Sequence, residues 1–119
     1  MFNYYIYRTY FNAKHSFNGD ITKIHGHSFT VVTYIGMKDS KEDIPFFKLE
    51  AIISSFIDQY RGRYLNELPE FEGCGNTLET IGDYFYEKLR KQFMKSGMEL
   101  YQLPIGENPL RVYQVSHRM

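Results

Sequence analysis

Three of the four histidines crowd one short stretch: His15, His25 and His27. His25-Gly26-His27 sets two imidazoles at i and i+2, and residues two apart on an extended strand share a face. Gly26 between them has no side chain and lets the backbone bend, which helps both rings converge on one ion. His15 stands at the other end of the intervening loop, where a hairpin would bring it beside the pair. Three neutral imidazoles suit Zn²⁺ and leave a fourth position for water or substrate, the arrangement of a catalytic rather than a structural zinc site. The plainer reading is a set of unrelated loop histidines, and a lone His-x-His would be read that way. The third histidine at the hairpin position favours a metal site. His117, near the end of the chain, is assigned no ligand role.

The elements that must position these residues follow from pattern. Residues 2–13 are rich in Tyr, Phe, Ile and Thr, hold no Gly or Pro, and read as a strand. Asn18-Gly19-Asp20 marks a turn, and residues 26–36 read as a second strand, so the two form an antiparallel hairpin with a long loop. After a charged loop from Met37 to Pro45, Leu49, Ile52, Ile53, Phe56 and Tyr60 make one face of a helix over 46–60. Residues 61–75 connect, broken by Pro69, Gly73 and Gly75. A second helix over 77–95 carries the stripe Leu78, Ile81, Phe85, Leu89 and Phe93, with Asn76 as expected N-cap and Glu79 as its capping-box partner. Residues 98–105 and 110–116 read as strands flanking a Gly106-Glu107-Asn108-Pro109 turn. The order β-β-α-α-β-β predicts an α+β fold: a four-stranded antiparallel sheet with two helices on one face. The open edges of so small a sheet argue for a homo-oligomer joined through it.

Composition narrows the function classes. A chain of 119 residues suits one domain, 1–119, and 43% hydrophobic against 24% charged residues allows a packed core. Fourteen basic residues balance fourteen acidic ones, which argues against a nucleic-acid binder relying on overall charge. Cys74 is the single cysteine, so neither an intramolecular disulfide nor a multi-cysteine zinc site can form. No apolar run approaches the roughly 18 residues of a membrane span, and the first residues lack a signal-peptide pattern. A cytoplasmic protein with neither nucleic acid nor membrane as partner is expected.

Phe11-Asn12-Ala13-Lys14-His15 followed by His25-Gly26-His27-Ser28-Phe29 resembles the Phe-x-Ala-x-His … His-Gly-His pattern of the 6-pyruvoyl-tetrahydropterin synthase and 6-carboxy-tetrahydropterin synthase family. The element order and length are also similar to that family's. Weaker matches run along the chain: Tyr64-Leu65-Asn66, Thr77-Leu78-Glu79, and Ile105-Gly106-Glu107-Asn108 with Tyr113 beyond it. The resemblance implies the tetrahydropterin-synthase-like T-fold, with the sheets of an oligomer, trimer or hexamer, closed into a barrel. It implies a Zn²⁺ cofactor on His15, His25 and His27, a pterin ring held by Glu107, and Thr77 near the pocket. It also implies a lyase acting on 7,8-dihydroneopterin triphosphate. Pyruvoyl and carboxy products, and biopterin, queuosine-type deazapurine and folate pathways, remain open.

The sequence departs from the family at its proton-transfer groups. The residues before His25 are Ile21-Thr22-Lys23-Ile24, with no Cys in the loop, and Arg61-Gly62 stand where the family carries an Asp-His pair. Asp20, five residues before His25, is the candidate replacement base; as part of Asn-Gly-Asp it also reads as an ordinary turn residue. Lys14, Lys23, Arg61 and Arg63 could meet a triphosphate, though exposed basic residues mostly meet water. The alternative is therefore a divergent zinc- and pterin-binding relative with altered or no elimination. A cupin-like metal site is a third reading, weakened by the two helical stripes, and a metal-free interaction module a fourth.

Overall fold

Of the stretch expected as the first strand, residues 5–13 do form one, which runs on to His15 and is the first edge of the sheet, while residues 2 and 3 lie outside the described residues. A computed structural model describes residues 4–15, 25–37, 43–71, 77–108 and 110–116; of His15, His25 and His27 it describes the backbone. The elements are β1 (Tyr5–His15), β2 (His25–Met37), α1 (Phe46–Asp58), two single 3₁₀ turns (Leu65–Glu67 and Pro69–Phe71), α2 (Leu78–Met94), β3 (Met98–Asn108) and β4 (Arg111–Ser116). The strands form one antiparallel sheet in the order β1-β2-β3-β4. Among the described residues, no helix is long and apolar enough to cross a membrane.

Period-two alternation builds the inner face of the sheet. Phe11 and Ala13 of β1 and Phe29, Val31, Thr33 and Ile35 of β2 are buried. Thr33, the polar member of this row, donates its hydroxyl to the Tyr7 carbonyl at 3.2 Å, so its burial leaves no unmet donor. On β3 the buried hydrophobic residues are Met98, Leu100, Leu103 and Ile105, which change parity midway. A register shift resolves this: Ile35 pairs with Leu100 but Tyr34 with Gln102, so one extra residue on β3 returns Leu103 and Ile105 to the inner face.

Both helices cover that face. Leu49, Ile53, Phe56 and Ile57 of α1, with Leu78, Ile81, Phe85, Leu89 and Phe93 of α2, complete the core. The α1 helix stops at Asp58, short of the expected Tyr60, yet Tyr60 stays buried in the turn that follows and its hydroxyl donates to Glu70 at 3.1 Å. The α2 N-cap is Thr77 rather than Asn76, because the Thr77 Oγ1 accepts from the Thr80 amide at 3.2 Å. Glu79 lies in the first turn, where the positive end of the helix favours an acid.

The barrel expected from the resemblance is not present. The sheet is open, with β1 and β4 as its two edges among the described residues and no pairing between them. Four strands are too few to curl round and meet; about eight are needed for an interior that side chains can fill. Part of the β1 edge is instead covered from within the chain. The Gly62 amide donates to the Asn12 carbonyl at 2.6 Å, and the Lys14 amide donates to the Arg63 carbonyl at 2.9 Å. Arg61 Nη1 reaches the Tyr10 carbonyl at 2.7 Å. Gly62 adopts φ 69°, a left-handed conformation that glycine takes without strain.

At one point α2 meets the sheet with no space to spare. A Cβ on Gly82 would lie 2.8 Å from Tyr113 Cδ2 and 2.9 Å from Ile105 Cγ2. The Tyr113 ring cannot swing aside freely, since its hydroxyl donates to Asp83 at 2.7 Å. Gly82→Ala gains up to about 1 kcal/mol of helix propensity and loses about 1–3 kcal/mol to overpacking. The expected net result is a lower urea midpoint; a midpoint unchanged or raised would show that the ring yields.

Candidate functional site

The hairpin register decides how the three histidines stand. His15 pairs with His25, and Ala13 pairs with His27. These positions continue the rows that hold Phe11 on β1 and Phe29 and Val31 on β2, so all three lie on the sheet face that carries the core, at its far end. Asp20 and the rest of the loop over 16–24 lie outside the described residues, as do Cys74 and Asn76. Among the described residues, no group of three His, Cys, Asp or Glu side chains is placed to hold a metal; the imidazoles of His15, His25 and His27 are not among those side chains.

Glu107 reaches the same end of the sheet from β3. Val31 pairs with Ile105 and Thr30 with Gly106, so the next residue along β3 runs toward the end of β2 that carries His27. The β3 strand continues beyond the expected 105 to Asn108, and Glu107 falls at a register shift between Gly106 and Asn108. Asn108 Oδ1 accepts the amides of Leu110 and Arg111 at 2.8 and 3.0 Å, which tightens the reversal into β4. Glu107 Oε1 then meets Arg111 Nη1 at 2.9 Å.

Nearby, Tyr113 donates its hydroxyl to Asp83 across the α2–β4 contact. This hydrogen bond raises the Tyr113 hydroxyl above the usual tyrosine range, helped by burial and the negative charges of Asp83 and Glu79. The Thr77 hydroxyl is engaged as the helix cap and lies 3.1 Å from the Thr80 hydroxyl.

The two residues that stand where the resemblance expects an Asp-His pair are both structural. Arg61 is held between Asp58, at 2.7 Å from its Nε, and the Tyr10 carbonyl. Gly62 contributes a backbone donor to β1. A guanidinium stays protonated and glycine has no side chain, so neither can accept a proton. Sequence reasoning missed Asp83 and Arg111. Asp83 gave no signal, because its partner is thirty positions away. Arg111 could have been found as a cation four residues after Glu107 across a turn.

Solved structures share this architecture. The 6-pyruvoyl tetrahydropterin synthase of Caenorhabditis elegans matches with TM-score 0.78 and 21% identity over 99% of this chain and 100% of that one. An uncharacterised protein from Wolinella succinogenes matches with TM-score 0.67 and 16% identity over 98% and 100%. A Plasmodium vivax 6-pyruvoyltetrahydropterin synthase, solved as a variant with a catalytic glutamate replaced by alanine, matches with TM-score 0.68 and 16% identity over 98% of each chain. No curated protein matches. At such identities the likenesses establish the fold, and the family follows from the sequence itself: the family model for 6-pyruvoyl tetrahydropterin synthase matches residues 5–118, so the chain belongs to that family.

Proposed function

We propose that this protein is a divergent zinc- and pterin-binding member of its family, with the family's elimination of triphosphate from 7,8-dihydroneopterin triphosphate altered or lost. One observation carries the divergence: Arg61 and Gly62, at the Asp-His position, serve to bind the β1 edge and hold no proton-accepting group. The binding half rests on placement. His15, His25 and His27 share one face at one end of the first hairpin, and three imidazoles fit Zn²⁺ with a position left for a ligand. Zinc bound there would supply Lewis acidity toward side-chain oxygens. The carboxylate of Glu107 accepts hydrogen bonds from the 2-amino and N3–H edge of a pterin. The relatives' names support a pterin-type substrate, and an oligomer, trimeric or hexameric, would suit a sheet with open edges.

A positioned base contributes about 10²–10⁴-fold to proton transfer. The purified protein is therefore expected to carry zinc and bind pterin, yet release triphosphate far more slowly than the Caenorhabditis elegans synthase assayed beside it. Release at an equal rate would overturn the divergence. Whatever turnover remains is assigned to Asp20, a carboxylate in the metal loop; the Plasmodium relative likewise uses a carboxylate, its catalytic glutamate. Asp20→Asn is expected to lower triphosphate release by about a hundredfold with zinc content unchanged. Unaltered turnover would exclude Asp20 as the base.

A further inference from the structure

The Glu107–Arg111 ion pair has a buried end and a solvent end. The Glu107 side chain is 10% exposed, whereas that of Arg111 is 71% exposed. The contact is set up locally, by the register shift at Glu107 and the Asn108 side chain that folds the backbone back through Leu110 and Arg111. A guanidinium is a planar carbon bearing a fork of N–H donors. The 2-amino and N3–H edge of a pterin is also a planar carbon flanked by N–H donors, and a carboxylate accepts either group in the same way.

We propose that Arg111 is an intramolecular stand-in for the ligand: its guanidinium occupies Glu107 in the ligand-free protein and leaves when a pterin ring binds. This rests on the reading of Glu107 as the pterin anchor. The exchange is physically favourable at both ends. Glu107 keeps an N–H donor at its Oε1 in both states, and a shortage of donors is costly for an enclosed carboxylate. Arg111 returns to water easily, because it is already mostly hydrated and exposed ion pairs are weak. The pair also selects. A ring without a donor fork cannot replace what Glu107 loses when Arg111 departs, so such rings are excluded by the protein's own side chain.

Neopterin fluorescence titrated against the full-length protein at neutral pH provides the test. Arg111→Ala removes the competitor and is expected to tighten neopterin binding by about fivefold. Glu107→Gln is expected to abolish binding. Neopterin is uncharged, so added salt screens the ion pair more than the ligand contact; wild-type affinity should therefore rise with sodium chloride and Arg111→Ala affinity should not. If Glu107→Gln abolishes binding while Arg111→Ala weakens it or leaves it unchanged, the stand-in role is overturned and the anchor stands. If Glu107→Gln binds as the wild type does, or neopterin binds to none of the three proteins, the anchor reading fails and takes the stand-in with it.

Discussion

Replacing His27 with alanine is expected to remove stoichiometric zinc from the purified protein. His27 is the histidine whose register partner is small: it stands opposite Ala13, whereas His15 and His25 stand opposite one another. Directly paired residues of an antiparallel ladder have Cβ atoms about 5 Å apart. His27 also sits two positions from His25 on the same strand, so the backbone sets both on one face of the sheet. Removing one of three protein ligands leaves a two-imidazole site. The loss should exceed the ~10–100-fold that deleting an outer hydrogen-bond partner of a metal ligand costs. Metal analysis per chain is the readout, with His117→Ala as the control that keeps its zinc. Full retention of zinc by the His27 variant would remove the metal from the proposal.

The largest expected loss of stability comes from Phe85→Ala. The Phe85 ring lies 5.8 Å from Phe11 of β1, 5.0 Å from Phe56 of α1 and 4.9 Å from Tyr60, centroid to centroid. It therefore joins the second helix to both the sheet and the first helix. Deleting a buried phenylalanine costs about 3–5 kcal/mol, a large part of the roughly 5–15 kcal/mol that holds a domain together. In a chain of this length the melting midpoint should fall by roughly 10–20 °C. Phe47, 89% exposed at the start of α1, is the comparison, and its alanine variant should stay within about 0.5 kcal/mol of the wild type. A Phe85 variant that melts near the wild type would mean the ring cluster repacks around the gap.

Much of this arrangement was legible in the order of residues because burial imposes a period. Leu49, Ile53 and Phe56, and Leu78, Ile81, Phe85, Leu89 and Phe93, recur at helical spacing and are the buried faces of α1 and α2. His25-Gly26-His27 announced a shared strand face, and the hairpin register does set His15 opposite His25. What periodicity does not carry was missed. Asn76 and Thr77 are both good caps, and only the Thr80 amide distinguishes them. The extra residue opposite Tyr34 and Ile35 breaks the alternation of β3, so a fixed period of two cannot follow its inner face. The barrel was inferred from likeness, and strand number within one chain does not support it. The Tyr10 carbonyl that Arg61 reaches and the Asp83 carboxylate that Tyr113 meets lie 51 and 30 positions away and leave no local trace.

The backbone strap over β1 has a mechanical consequence. Lys14 donates to Arg63 and Gly62 donates to Asn12, so each segment holds an amide of the other in a hydrogen bond. Neither amide can exchange with deuterium until the strap lifts, and lifting it frees both together. The strand end bearing His15 and the turn leaving the first helix therefore open as one cooperative unit, and fraying at that turn is transmitted directly to the rim where a metal would sit.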